Sequence, residues 1–291
     1  MSAPDPVTGA LGAVGVVAKR APAAAAVAHE LAEWLARRGH PVLLDPVTRA
    51  DIARTDLGEL TAAARCDLIV VLGGDGTLLS VARRHAGGPP ILGVNLGRLG
   101  FLTEVARDDL YPALVDILAG RFEVEERSLF EVLLIRADGR KRRYLALNDA
   151  VITKTALARI IELHVSVDGR PVSRYRADGL VISTPTGSTA YNLSAGGPIL
   201  HPQLPVAVLT PICPHTLTLR PLVVPDTSVV EVTLETPRES VYLTVDGQEG
   251  DEMGEGDRVR IRRHADPVRL VRTGDPRSIF EGLRSKLHWG E

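Results

Sequence analysis

Residues 68–79 read Leu-Ile-Val-Val-Leu-Gly-Gly-Asp-Gly-Thr-Leu-Leu, and this stretch decides the fold of the chain around it. Five apolar residues in a row, Leu68–Leu72, suit a strand buried on both faces, as in a parallel sheet. Gly73-Gly74-Asp75-Gly76 then breaks the strand, and the spacing from Thr77 to His85 predicts a helix. A buried strand, a glycine turn and a helix make the opening of a βαβ unit. Working outward, Leu11–Ala18 reads as a strand. Ala21–Arg38 reads as a helix, with Ala24, Val27, Leu31, Trp34 and Leu35 at helical spacing. A short strand at Pro41–Leu44, a strand at Pro90–Val94 and a helix across Thr103–Leu118 continue the alternation. A mostly parallel α/β domain follows from that pattern.

From about Phe122 the segments become short, β-branched and separated by turns, among them Asp138-Gly139 and Asp168-Gly169, both hairpin signals. Glu162–Asp168 alternates, with Leu163, Val165 and Val167 on one face, and Val229–Leu234, Ser240–Val245 and Arg258–Arg263 repeat the style. The expected organisation is an α/β domain over 1–121 carrying the glycine loop and a mainly antiparallel all-β domain over 122–274. A helical tail over 275–291 carries Ile279, Phe280, Leu283 and Leu287 on one face and is expected to pack back on the first domain.

The composition narrows the function. Of 291 residues, 45% are hydrophobic and 24% charged, ordinary for a globular enzyme, while aromatics at 4% leave the core to Ala, Val, Leu and Ile. A net charge of −2 offers no long-range pull on nucleic acid or an anionic membrane. The two cysteines, Cys66 and Cys213, lie far apart and outside any metal-ligand spacing, so neither a disulfide framework nor a structural zinc is expected. With no signal-peptide pattern and no apolar run long enough to span a bilayer, the expected location is the cytoplasm.

The glycine loop invites a phosphate. Glycines allow close backbone approach and positive φ, and the helix that follows turns free N–H groups and a positive dipole end toward the loop. Gly73, Gly74, Gly76 and Thr77 are its candidate residues. The loop lacks the lysine of a Walker A sequence and the spacing of GxGxxG. Asp75 repels a phosphate unless a metal intervenes or the acid takes a proton from an attacking hydroxyl. The alternative is a tight strand-to-helix turn in which the aspartate serves only its own backbone.

A second cluster, Asp178–Pro198, reads DGLVISTPTGSTAYNLSAGGP. Thr186, Ser188 and Thr189 offer hydroxyls, and Gly187, Gly196 and Gly197 offer close backbone approach, a set suited to ribose and phosphate oxygens; a plain surface loop is the other reading. Asn148-Asp149 interrupts a strand and also suits a bulge. Asp246-Gly247-Gln248 also reads as a hairpin turn. Arg159 and Arg176 have no local context that marks them, and His201 and His215 are taken as structural.

These segments together resemble the NAD kinase family. The resemblance is carried by Gly73–Thr77, by Asn95-Leu96-Gly97-Arg98-Leu99-Gly100-Phe101-Leu102-Thr103, by Asn148-Asp149, by Asp178–Pro198, by Pro211–Leu217, by Arg220-Pro221-Leu222 and by Asp246-Gly247-Gln248. It runs from about residue 65 onward. GGDGT is shared with lipid and sugar kinases, whereas TPTGSTAY…SAGGP is far more specific. The resemblance implies phosphorylation of the adenosine 2′-hydroxyl of NAD to give NADP, with ATP as donor, or another nucleoside triphosphate or polyphosphate, and with a divalent metal, Mg²⁺, held by the phosphates or by Asp75. It implies a site in a cleft between the domains, Asp75 as general base, and NAD contacts from Asp75, Gly76, Asn148, Asp149, Arg159, Arg176, Asp178, the run Thr189, Ala190, Tyr191, Asn192, Leu193 and Ser194, and Gln248. It further implies a homodimer or homotetramer with a site completed by a neighbouring subunit. The family often has Asn-Glu where Asn148-Asp149 stands; the shorter acid keeps the charge and changes the reach. A lipid or sugar kinase sharing the glycine loop is the alternative, poorly matched to the polar second cluster.

Overall fold

The computed structural model of the protein describes residues 11–61, 64–97, 100–155, 159–216, 218–236, 240–273 and 278–287. The chain forms two compact units, one made of 1–126 and 268–291 and the other of 127–267.

In the first unit the elements run β1 (Val14–Ala18), α1 (Pro22–Ala36), β2 (Val42–Leu44), α2 (Pro46–Asp51), β3 (Gly58–Glu59), β4 (Leu68–Gly73), α3 (Asp75–Arg84), β5 (Ile91–Asn95), β6 (Val105–Ala106), α4 (Leu110–Leu118) and β7 (Glu123–Arg127). All six residues of β4 are buried, as its unbroken apolar run requires. β4 lies between β1 and β5, parallel to both, in the sheet order β3-β2-β1-β4-β5-β20-β7, where β20 is Val268–Arg272. Leu68, Val70 and Leu72 meet Ala24, Val27, Ala28, Leu31 and Leu35 of α1, and Leu110, Leu114 and Ile117 of α4, in one core. Pro22 begins α1, where its missing N–H costs nothing. Asp45 caps α2 by accepting from the Thr48 amide at 3.2 Å.

In the second unit β8 (Phe130–Ile135), β9 (Lys141–Ala146), β10 (Asp149–Lys154), β11 (Ile161–Val167), β12 (Arg170–Ala177), β13 (Gly179–Ser183), the single turn α5 (Tyr191–Ser194), β14 (Val206–Ile212), β15 (Leu222–Pro225), β16 (Val230–Leu234), β17 (Val241–Val245), β18 (Glu249–Met253) and β19 (Arg258–Arg263) form two antiparallel sheets. Alternate residues of both sheets, such as Val132, Leu163, Ile182 and Leu243, enter a common core. Asp168 and Gly169, at φ 50° and 74°, and Asp246 and Gly247, at φ 50° and 66°, make the left-handed pairs of two-residue hairpin turns.

The chain then returns to the first unit with β20 (Val268–Arg272), parallel to β5, and α6 (Ser278–Leu287). The sequence reading gave 268–274 to the β domain. Apolar alternation in Val268–Val271 looks the same in either sheet, and only the pairing with Ile91 assigns it. The fold class stands as expected: a parallel α/β unit, an antiparallel β unit and a helix at 278–287. Among the described residues no helix is long and apolar enough to cross a membrane.

Candidate active site

Strand order in the first sheet reverses between β1 and β4. Ligands of open α/β sheets bind at such a switch point, beyond the carboxyl ends of the strands. Those ends carry Lys19, whose amide donates to the Leu72 carbonyl at 2.8 Å, and the Gly73–Asp75 turn. Gly74, with extended backbone, is the N-cap of α3, so the helix starts at Asp75 and not at Thr77. Asp75 thus stands in the first helical turn, where the dipole favours a negative charge. The expected positive φ is absent from Gly73, Gly74 and Gly76. Space is what demands glycine at 73: a Cβ there would lie 2.6 Å from the Thr77 hydroxyl.

The Asp75 carboxylate faces the turn after β5. Oδ1 accepts from the Leu102 amide at 3.1 Å, the Thr103 amide at 3.0 Å and the Thr103 hydroxyl at 2.9 Å, while Oδ2 accepts from the Phe101 amide at 2.7 Å. A carboxylate offers about four acceptor positions, two per oxygen. Oδ1 is fully engaged, and Oδ2, with one donor among the described residues, retains an open lone pair. Buried Asn95 supports the arrangement, its amide donating to the Thr103 hydroxyl at 2.9 Å and its carbonyl oxygen accepting from the Gly97 amide at 2.7 Å. A Cβ on Gly100 would overlap Asp75 Oδ1, so glycine is required there. These bonds also correct the helix expected across Thr103–Leu118. Thr103 is committed to Asp75, and α4 begins at Leu110 after β6 and a single 3-10 turn over Arg107–Asp109.

In the second unit the Asp246 carboxylate gathers three consecutive amides, from Leu147 at 3.0 Å, Asn148 at 2.8 Å and Asp149 at 3.1 Å. The Gln248 amide closes the same hairpin on the Val245 carbonyl at 3.0 Å. Asn148, Asp149 and exposed Gln248 are therefore brought together. Asp149 is 4% exposed; burial, and then the charge of Asp246, push its carboxyl up to about 7. The position thus does not simply keep its charge at neutral pH.

The loop 184–198 packs on this turn with its polar groups turned inward. Thr184 donates to the Leu147 carbonyl at 2.6 Å, and Ser188 to the Pro185 carbonyl at 2.6 Å. Asn192, fully buried, donates to the Ser188 and Pro198 carbonyls, both at 3.0 Å, and accepts from the Thr210 hydroxyl at 2.6 Å. A Cβ on Gly187 would overlap the Asn148 carbonyl, and one on Gly197 the Asn192 amide. The Ser188 hydroxyl is thus buried framework, not an open donor, the buried Thr186 hydroxyl accepts from Arg127 at 3.4 Å, and these two glycines serve protein packing. Tyr191 and Ser194 are exposed, while Thr189, Ala190 and Leu193 are half-buried.

Arg176 and Asp178 lie elsewhere. Asp178 is at the far end of β10, its carboxylate 3.5 Å from Lys154, and Arg176 pairs with Glu162 at 3.1 Å. Asp149 and Lys154 bound β10, which puts the two groups about 17 Å apart at ~3.4 Å per residue. Arg159 is exposed. Sequence reasoning missed the roles of Asn95, Gly100, Thr103 and Asp246, whose bonds span 26 to 99 residues for Asp75 and Asp246 and leave no local signal.

Comparison with known proteins also divides the chain in two, the second family model running on through β20. The family model for the ATP-NAD kinase N-terminal domain matches residues 14–122, and that for the ATP-NAD kinase C-terminal domain matches residues 147–273. The chain belongs to the NAD kinase family. An NAD kinase of Geotalea daltonii is 50% identical over 277 residues, covering 93% of this chain and 95% of its own. One of Syntrophotalea carbinolica is 46% identical over 284 residues, covering 96% and 99%. Among solved structures, yeast NADH kinase complexed with NADH matches with a TM-score of 0.89 at 26% identity, over 98% of this chain and 89% of that one. An NAD kinase from Archaeoglobus fulgidus in complex with ATP matches at 0.74 and 28%, over 94% and 98%. Membership makes the chain an enzyme of the NAD kinase class, and none of these relatives is a lipid or sugar kinase.

Proposed function

We propose that this chain transfers the terminal phosphoryl group of ATP to the 2′-hydroxyl of the adenosine ribose of NAD, giving NADP, with Asp75 as the general base. The observation that carries the reading is Asp75 itself: a carboxylate at a helix N-terminus, at the switch point of the sheet, with one acceptor position open on Oδ2. A ribose hydroxyl is almost wholly protonated at neutral pH, and a base within hydrogen-bond reach contributes about 10²–10⁴-fold. Oδ2 takes the proton as the oxygen attacks phosphorus in line, and the amides of Phe101–Thr103 keep the carboxylate oriented. Gly73, Gly74, Gly76 and Thr77 line the phosphate side, with Lys19 as a nearby cation.

The Asn148–Asp149 turn, the run Thr189–Ser194 and Gln248 form one group of NAD contacts; Asn192 contributes through its backbone, since its amide is spent internally. Arg159, Arg176 and Asp178 form the second. The length of β10 between Asp149 and the end where Asp178 meets Lys154 supports a homo-oligomer, dimer or tetramer, in which the second group serves a neighbour's site.

Among the described residues no three His, Cys, Asp or Glu side chains cluster to hold a metal. The one acceptor position open on Asp75, at Oδ2, is given on this reading to the ribose hydroxyl and not to a metal. The divalent ion, Mg²⁺, belongs on this reading to the donor substrate, carried in on its phosphates. The same reading makes the protein a cytoplasmic enzyme without a nucleic-acid or membrane partner. Incubation with ATP, Mg²⁺ and either NAD or NADH, followed by detection of the 2′-phosphorylated dinucleotide, tests it. Product from neither acceptor overturns it, and substituting polyphosphate for ATP identifies the donor.

A further inference from the structure

The C-terminal helix reaches the Asp75 turn through one side chain. Lys286 of α6 donates from Nζ to the Gly100 carbonyl, and its ammonium lies 4.4 Å from the centre of the Phe101 ring. The carbonyl of Gly100 and the N–H of Phe101 belong to the same peptide group. Among the described residues that N–H is the one donor to Asp75 Oδ2, the oxygen with the open lone pair. An ammonium on the carbonyl oxygen polarises the peptide, strengthens the N–H as a donor and fixes the plane in which it points.

We propose that Lys286 is a positioning residue for the transfer reaction, acting through the Gly100–Phe101 peptide to fix the oxygen of Asp75 that takes the proton. The inference rests on the reading of Asp75 as general base. Lys286 touches no reacting atom in this arrangement. Its work is done on the turn, whose three successive amides hold the carboxylate. Glycine at 100 contributes no side chain to this turn, and Lys286 holds it through the Gly100 carbonyl and the Phe101 ring.

The charge state of Lys286 provides a signature. Burial draws its ammonium below the ordinary lysine range. Asp75 on α3 and Glu104 before β6 oppose that shift, and Arg272 on β20 adds to it. A group with a lowered value loses its proton as pH rises, so the bond to Gly100 weakens on the alkaline side. Arginine keeps its charge throughout.

Three variants of the full chain test the proposal in steady-state kinetics with ATP, Mg²⁺ and NAD. Lys286→Met is expected to lower kcat about ten- to hundredfold, the scale on which small displacements of reacting groups act, with KM for both substrates nearly unchanged. Amide hydrogen exchange at Phe101, Leu102 and Thr103 should accelerate while β4 and β5 stay protected. Lys286→Arg is expected to restore most of kcat and to move the alkaline limb of its pH profile upward. Asp75→Asn separates the two readings. Wild-type turnover in that variant removes the base itself. An inactive Asp75→Asn beside a Lys286→Met of wild-type kcat and unchanged exchange overturns the role of Lys286 alone. An even loss of protection across the first unit overturns it as well, since that marks general destabilisation. Should the methionine variant not fold, the arginine variant decides: an alkaline limb coincident with wild type refutes the proposal.

Discussion

Two loops of this molecule are built from the same kinds of residue and use them in opposite ways. Gly73–Thr77 and Thr184–Pro198 are both rich in glycine and hydroxyls and both follow a fully buried strand. In the first, the acidic side chain is met by amides from a turn 26 to 28 residues away, and one acceptor position stays open. In the second, Thr184, Ser188 and Asn192 bond to backbone carbonyls and are closed to solvent. Composition marks both as ligand loops; the accounting of donors and acceptors separates a carboxylate with room for another donor from a closed scaffold.

That contrast is sharpest at Asp75. Asp75→Asn is expected to bind NAD with similar affinity and to lose about 10²–10⁴-fold in kcat; retained turnover, measured with purified protein, erases the distinction between the loops. The next largest effect concerns the turn on which the second loop packs. The Asp149 carboxyl, pushed up to about 7, binds its proton more tightly folded than unfolded. Its contribution to stability is therefore full below the unfolded value of ~3.9, declines as pH rises toward ~7 and is flat above that. Asp149→Asn should stabilise the protein at about pH 8, by at most about 4 kcal/mol, and leave it nearly unchanged at about pH 4. Urea titrations at the two pH values check this, and equal effects at both refute it. Asn192→Ala strands two carbonyls and a threonine hydroxyl and should cost about 2–3 kcal/mol of stability. NAD affinity in the folded fraction should change little; a selective loss of affinity with normal stability would mean that the amide serves the ligand. Thr189→Ala sits at the small end, within about 0.5 kcal/mol in stability, and any effect on KM for NAD marks the half-buried hydroxyl as a contact.

Much of this was legible in the residues. The run Leu68–Leu72 announced a central parallel strand, and Asp168-Gly169 and Asp246-Gly247 announced hairpins, because burial and positive φ leave local traces. Asp75 stood out as an acid in a turn suited to anions. The places where the reading went astray share a cause. Thr103 carries a helix-like pattern yet belongs to Asp75, Val268–Arg272 carries a strand pattern yet belongs to the other unit, and the glycines at 187 and 197 look like ligand glycines yet make room for Asn148 and Asn192. In each case the deciding contact is a tertiary one, and a window of ten or fifteen residues does not contain it.

The return of β20 to the first sheet has a consequence for how the molecule is made. Residues 127–267 are one uninterrupted segment enclosed by two pieces of another unit. As the chain emerges from the ribosome, the enclosed β segment has all its strands available first, while the sheet that began with Val14 waits for Val268–Arg272 to seat beside Ile91. The half holding Asp75 is therefore begun first and finished last, and a chain released before residue 272 has every strand of the β unit but lacks the last strand of the unit that holds Asp75.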